Sequence, residues 1–242
     1  EADGAVLLAV IEGIKAVRAQ AAVPRLEEIL DARRAEPELA KACVDALGEI
    51  GDPAVVPILV DFLARSDPEK DHLARWAAAN ALGKLKQPQA VDALLALLDD
   101  PGAGLRQAAV AALGKIADRR AREKLSFTVR NDKDPVVREL AAQALGALKD
   151  AAALDVLVAA LDDAEPRVAK SAWDAALSLA GRDPDLLEGL LAKLPVDKHR
   201  PQAIAILRLL APPPTTAPEK LADVQKRAQI RLGALLFEAR DW

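Results

Sequence analysis

The sequence predicts an all-α protein, a right-handed solenoid in which about six to seven pairs of helices stack on one another. Two observations favour this fold class, namely a repeat of two helices every 31 to 35 residues and a composition poorly suited to sheets. Apolar residues make up 52% of the 242 residues, but aromatic residues only 2%, and tyrosine is absent. The core must therefore be aliphatic, whereas strands are usually enriched in aromatic residues.

Leucine–glycine pairs mark the repeat. The anchors are Leu47-Gly48, Leu82-Gly83, Leu113-Gly114 and Leu145-Gly146, with Ile14 before them and Leu177 after them. Successive anchors lie 33, 35, 31, 32 and 32 residues apart. A basic residue stands seven positions before four of them, at Arg75, Arg106, Arg138 and Lys170. Helix pairs of this length cannot bury both faces alone, so the units are expected to stack.

Each unit is predicted to contain two helices. Residues 136–148 carry apolar side chains at steps of three and four, which gives one apolar stripe on a helix, and residues 152–161 repeat the pattern. The turns between units contain the steps Asp67-Pro68, Asp100-Pro101, Asp134-Pro135 and Glu165-Pro166. Aspartate caps a helix and proline suits its first position. The glycine after each anchor leucine is expected to let a neighbouring backbone approach closely.

These segments resemble HEAT repeats, in particular the short bacterial kind. The resemblance rests on stretches such as LRQAAVAALG at 105–114 and VRELAAQALG at 137–146, and it extends over residues 4–183 and more loosely to 211. It implies a ladder between adjacent repeats, formed by an aspartate in the turn and an arginine early in the following helix. The residues that match this ladder are Asp67 with Arg75, Asp100 with Arg106 and Asp134 with Arg138. Leu7 and Ala40 occupy the basic column of the first two units, so no ladder is expected there.

Three segments make up the predicted domain organisation. Residues 1–211 form the repeat array, with a degenerate last pair, and residues 212–218 form a stiff proline-rich linker. Residues 219–242 are predicted to form an amphipathic helix that either caps the array or docks another chain. No apolar run is long enough to span a bilayer. There is no methionine, even at position 1, so we expect a processed or excised chain, and its compartment stays open.

The sequence offers little for catalysis. His72 and His199 are the only histidines, neither is followed by glutamate, and Cys43 falls in a column of small apolar residues. HEAT-like deoxyhypusine hydroxylases place iron on repeated His-Glu pairs, and this chain lacks them. No nucleophile elbow or phosphate loop occurs. We therefore predict a protein that is not an enzyme and has neither a metal nor a cofactor.

Nucleic acid and tetrapyrroles are the other ligands considered. Residues 115–130 hold a basic cluster, and some HEAT-like bacterial DNA glycosylases bind DNA in a basic groove. The cluster straddles a turn, however, its one aromatic residue, Phe127, is expected in the core, and the net charge is −4. These features disfavour nucleic acid. The HEAT-like phycobilin lyases hold a tetrapyrrole, which the scarcity of aromatic residues disfavours.

Protein binding is the leading interpretation. In a right-handed solenoid the second helices line the concave face, and their outward stripe is predicted to bind a protein or peptide. The candidate partner-binding residues are Trp76, Asn80, Lys84, Gln107, Lys115, Glu139 and Gln143. An exposed tryptophan on a polar stripe is a candidate hot spot. The alternatives are a nucleic-acid-binding solenoid and a spacer module of a longer protein.

Overall fold

The computed structural model describes residues 2–32, 36–67, 70–181, 183–210 and 219–238. Fourteen α-helices and several short 3-10 turns account for most of these residues, and the described ranges contain no strand. The all-α prediction is therefore confirmed. The chain divides into two compact units, residues 1–148 and 149–242.

The first unit contains nine helices within the described ranges. They are Ala2–Val17 (α1), Val23–Ala32 (α2), Pro37–Ile50 (α3), Val56–Arg65 (α4), His72–Leu85 (α5), Val91–Ala96 (α6), Ala103–Ile116 (α7), Arg122–Asn131 (α8) and Pro135–Ala147 (α9). The odd-numbered helices stack in sequence order, and each even-numbered helix lies against the odd-numbered helix that follows it. The anchor leucines Leu47, Leu82, Leu113 and Leu145 are fully buried between them.

The anchor glycines are packing contacts between successive stacked helices. A Cβ atom built on Gly48 would lie 2.7 Å from Cβ of Ala81, and one built on Gly83 would lie 2.8 Å from Cα of Ala112. The same construction on Gly114 reaches Cβ of Ala144 at 3.1 Å. The predicted close approach at these glycines is confirmed. The glycine column of one repeat therefore packs against the alanine column of the next.

Every stacked helix of this unit is followed by a left-handed residue four positions after its anchor. These residues are Arg18, Gly51, Lys86, Ala117 and Lys149, with φ of 49°, 75°, 53°, 57° and 50°. Lys86 and Ala117 donate their backbone N–H to the carbonyls of Leu82 and Leu113. A left-handed residue at this place ends a helix and turns the chain. Only one of the five is glycine, so the turn is imposed by the packing of the flanking helices.

The second unit contains five helices among its described residues. They are Leu154–Ala159 (α10), Pro166–Ala180 (α11), Pro184–Lys193 (α12), Arg200–Leu210 (α13) and Glu219–Glu238 (α14). Helix α14 packs along α13, buries Ala228, and accepts a hydrogen bond from Nη2 of Arg200 to the Leu235 carbonyl at 2.8 Å. The predicted linker, 212–218, and residues 239–242 lie outside the described ranges.

Candidate functional site

A groove between α3 and α5 brings together three of the sequence-predicted binding residues. Trp76, Asn80 and Lys84 stand one turn apart on α5, and the groove of about 320 Å³ that they line continues onto α3 and Lys15 of α1. Trp76 is 47% exposed. The Asn80 amide donates to the Trp76 carbonyl at 2.9 Å, which holds the amide against the helix beside the indole.

Acid–base pairs surround this groove. Lys84 is hydrogen-bonded to Glu49, and Lys41 pairs with Asp45 at 2.7 Å. The hydrogen bond from Lys84, together with its positive charge, lowers the pKa of the Glu49 carboxyl. The groove thus has an aromatic wall and fixed charges of both signs, which suits a ligand with its own apolar and polar groups.

A second groove lies between α7 and α9 and is lined by the predicted outward stripes of these two helices. It has a volume of about 280 Å³, an alanine-rich floor, and Lys115 and Gln143 at its edges. Gln143 donates to Glu139 one turn earlier on α9 at 3.5 Å. Gln107 is half-buried on α7 and does not line this groove. Five of the seven predicted residues therefore line one of two grooves.

Arginines link the turns of the first unit into a continuous chain of contacts. Arg75 reaches forward from α5 to the Asp100 carboxylate at 2.7 Å. Arg106 on α7 makes two parallel hydrogen bonds to Asp132, each 2.8 Å long, and also donates to the Asp100 carbonyl at 3.0 Å. Arg138 in turn donates to the Asp132 carbonyl at 2.9 Å. Asp100 and Asp132 thus each accept at the carboxylate from the stacked helix before the turn and at the backbone carbonyl from the stacked helix after it.

The carboxylate paired with Arg106 is not that of Asp100, with which the sequence matched it. Asp100 accepts from Arg106 only at its backbone carbonyl, and its carboxylate pairs with Arg75. Asp134, which the sequence matched with Arg138, accepts at its carboxylate from Val136 N and Val137 N and caps α9. Asp132, two residues earlier, faces Arg106. A constant spacing could have identified it, since Arg75 and Asp100 are 25 residues apart and Arg106 and Asp132 are 26 apart.

Asp67 occupies the turn before α5, where its carboxylate accepts from the Lys70 backbone at 3.3 Å. Its neighbour Pro68 lies outside the described residues.

Burial and pairing act against each other on the Asp132 carboxyl. Burial raises its pKa, but the hydrogen bonds from Arg106 and from the Asp134 backbone together lower the pKa by more than burial raises it. The net pKa is therefore below the usual value. The same hydrogen bond raises the pKa of Arg106. The two side chains are only 5% and 8% exposed. The pair is therefore a buried structural ion pair.

Two residues of the basic cluster at 115–130 are paired with acidic side chains. Arg120 contacts Asp118 at 2.9 Å, and Lys124 contacts Asp99 at 2.6 Å. Phe127 was expected in the core, but it is 59% exposed on α8. Asp61 and Ala96 occupy the same repeat column on α4 and α6 and are also exposed. Comparison with this column could therefore have predicted that Phe127 is exposed.

The residues considered for chemistry, Cys43, His72 and His199, lie in three different parts of the chain. Cys43 is fully buried, and burial raises the pKa of its thiol to about 12. His72 is exposed at the start of α5, whereas His199 is buried and bonded through Nε2 to Asp162 at 3.1 Å. Within the described ranges, no three His, Cys, Asp or Glu side chains form a group that could hold a metal ion. The described residues thus do not fit the iron site of His-Glu pairs considered above.

The stacked helix pairs, the glycine–alanine contacts and the turn arginines define an α-helical repeat protein. The family model for HEAT repeats matches residues 1–74, 67–126, 105–180 and 127–211. The chain belongs to the HEAT repeat family. None of the helices in the described ranges combines the length and apolar character needed to cross a membrane.

Two curated relatives match parts of the chain. It is 36% identical over 106 residues to deoxyhypusine hydroxylase-B of Oryza sativa subsp. japonica, a match over 43% of this chain and 35% of that protein. It is 34% identical over 145 residues to the bilin biosynthesis protein PecE of Mastigocladus laminosus, over 60% of this chain and 53% of the relative. The chain therefore spans about a third and about half of the length of these relatives.

Solved structures share the solenoid fold. A designed armadillo repeat protein matches with a TM-score of 0.54 and 24% identity, over 88% of this chain and 99% of its own. A chain in the complex of CpcE and CpcF of phycocyanin lyase, from a Nostoc species, matches with a TM-score of 0.53 and 22% identity, over 97% and 91%. These likenesses concern the fold, which is that of an all-α solenoid.

Proposed function

We propose that this chain is a non-catalytic scaffold that binds a protein or peptide along the grooves of its first unit. The observation that supports the proposal most is the exposed Trp76 in the α3–α5 groove. A tryptophan side chain that is 47% exposed beside fixed polar groups suits burial by a partner. Tryptophan is enriched among the residues that contribute most of the binding energy at protein interfaces.

The polar groups of the two grooves match the chemistry of a peptide chain. The side-chain amides of Asn80 and Gln143 carry both donors and acceptors, as a peptide bond does. Asp45 and Glu49 offer carboxylates, and Lys84 and Lys115 offer cations. An extended segment with an apolar side chain for the Trp76 wall and charges of both signs would therefore be complementary to this face.

Selection from a random peptide library tests the proposal. We expect the wild-type chain to select peptides that bind saturably, and the Trp76→Ala variant to bind them about 10-fold or more weakly, as for an interface hot spot. Phe127→Ala is the matched control, because it removes an exposed aromatic side chain of the same unit that lines a separate groove beside α8 and neither of these two. Gln143→Ala should have a smaller effect than Trp76→Ala.

Two results would reject the scaffold proposal in this form. The first is a library that yields no saturable binder to the wild-type chain. The second is equal binding of the selected peptides to wild type, Trp76→Ala and Phe127→Ala, because the groove would then play no part in recognition.

The bilin biosynthesis relative supplies a second candidate ligand, a linear tetrapyrrole. Titration of the chain with a bilin, followed by visible absorption, separates the two proposals. A peptide scaffold leaves the chromophore spectrum unchanged at micromolar concentrations. A saturable spectral shift that Trp76→Ala abolishes would instead assign the same groove to a tetrapyrrole.

A further inference from the structure

Helix α1 exposes an apolar face that later repeats bury. Val6, Val10 and Val17 are 62%, 50% and 74% exposed, and Gly13 between them meets no heavy atom within 4 Å of a built Cβ. These four residues are spaced at three and four positions, so they form one stripe along the helix. Glu12 is the only charged residue among the exposed residues of α1 between Val6 and Val17.

Counted from the anchors, the four residues of the stripe correspond to the residues through which α3 and α5 each contact the stacked helix before them. The equivalents on α3 are Leu39, Cys43, Ala46 and Ile50, and all are 8% exposed or less. On α5 they are Ala74, Ala78, Ala81 and Leu85, with the same limit. This face of α1 thus keeps the side chains of an inter-helix interface, but no helix of the described residues packs on it.

Gly13 adds a second observation. Glycine within a helix lowers its stability relative to alanine. This cost is offset at Gly48, Gly83 and Gly114, because each of these glycines lets an alanine of the next stacked helix approach closely. Gly13 lies in the alanine column, one position before the anchor Ile14, and gains no such contact from the residues that the structure describes. A close approach from outside the chain would account for it.

We propose that this face of α1 is the docking site for a second copy of this chain, with the two α1 helices antiparallel. A two-fold axis between residues 11 and 12 places Val10 against Gly13 of the second copy. The same axis places Val6 against Val17 of the second copy. At the centre of such a dimer the bulky Val10 of each copy therefore faces the small Gly13 of the other.

The near absence of charge from the stripe supports this occupant over a charged partner. An interface between two identical stripes places valine and glycine at its centre without burying a charge, whereas an acidic or basic segment would find no opposite charge there. One helix face per copy is a small interface, so we expect a dimer that dissociates in the micromolar range.

Sedimentation velocity of the purified chain, from about 1 to about 100 µM, tests the proposal. The wild-type chain should approach twice its mass of 25.6 kDa with rising concentration. Val10→Glu should raise the dissociation constant about 100-fold or more, because it places a carboxylate at the apolar centre of the interface. Ile230→Glu is the matched control, since Ile230 is 66% exposed on α14 in the other unit.

Cysteine pairing tests the antiparallel arrangement. A mixture of the Val6→Cys and Val17→Cys variants should form an intermolecular disulfide under mild oxidation. Val6→Cys alone should not, because its two copies would lie about 16 Å apart along the helix axis, beyond the reach of a disulfide. The native Cys43 is buried and does not interfere.

Any of four results would overturn the proposal. They are a wild-type chain that stays monomeric throughout, a dimer that Val10→Glu leaves intact, a dimer that Ile230→Glu weakens equally, and disulfide formation by Val6→Cys alone. The first of these would leave the stripe available to a helix of another protein or to a preceding repeat.

Discussion

The amino-terminal end of the first unit, α1–α4, and its middle, α5–α9, stack in the same way but are linked differently. Both use buried leucines, and the contact between Gly48 and Ala81 joins α3 to α5. Among the described residues, buried arginine–aspartate pairs cross the turns only in the middle, at Arg75–Asp100 and Arg106–Asp132. Leu7 and Ala40 take the place of the arginine at the amino-terminal end. The apolar columns are therefore sufficient to stack the helices, and the arginines add a link between turns.

The largest expected effect concerns the buried pair of the middle. Arg106→Ala should lower the free energy of unfolding by about 3–5 kcal/mol, because it leaves the Asp132 carboxylate buried without its counter-charge. Lys84→Ala removes the half-exposed partner of Glu49 and should cost less than about 1 kcal/mol. Urea denaturation measures both. Equal losses for the two variants would show that the burial of the pair has no energetic consequence.

The pH dependence of stability follows from the same pair. The folded-state pKa of Asp132 lies below its unfolded value, so the pair contributes fully above the ordinary aspartate pKa of about 3.9. The contribution is lost as pH falls through the lowered folded-state pKa. Asp132→Asn should therefore weaken the acid dependence of unfolding, and an unchanged acid limb would contradict this assignment.

The glycine contacts should produce the next largest effect. Gly83→Ala should cost about 1–3 kcal/mol, because its Cβ would collide with the backbone of Ala112. Gly104→Ala, on α7, meets no atom within 4 Å and should be neutral or stabilise by about 0.5 kcal/mol through helix propensity. Thermal unfolding of both variants gives the comparison. A loss at Gly104 as large as at Gly83 would mean that close approach is not the cause.

Thiol labelling compares local opening in the amino-terminal end and in the middle directly. Cys43 on α3 and Ala109 on α7 share a repeat column and are both fully buried. We expect Ala109→Cys, in a Cys43→Ala background, to label about 10-fold more slowly than Cys43, which corresponds to about 1.4 kcal/mol of opening free energy. Faster labelling at 109 would show that the arginine pairs do not restrain the middle.

The smallest effect concerns a helix end shared by both regions. Gly51 ends α3 with a positive φ, and Lys86 ends α5 in the same left-handed region. Lys86→Gly should stabilise by about 0.5 kcal/mol, because glycine removes most of the steric cost of that conformation but loses more chain entropy on folding. The converse change, Gly51→Ala, should destabilise. A stabilising Gly51→Ala would contradict the steric argument.

Much of the architecture could be predicted from the sequence because it depends on periodicity. A column that recurs at a fixed distance from each anchor keeps the same environment in each repeat. This relation predicted the helix pairs, the close approach at Gly83 and Gly114, and the burial of Cys43. It also predicted the stripe to which Trp76 and Asn80 belong, because residues four apart share a helix face.

Tertiary structure alone decided the features that depend on which of two neighbours faces inward. Asp132 and Asp134 lie in the same turn, and only the path of that turn makes one the ion-pair partner of Arg106 and the other a helix cap. The left-handed residues Lys86 and Ala117 have no sequence signature, because the packing of the flanking helices imposes their backbone conformation. The sequence of each helix determines which of its side chains can be buried. The geometry between helices determines which side chains pair with one another, because that geometry depends on the path of the turns.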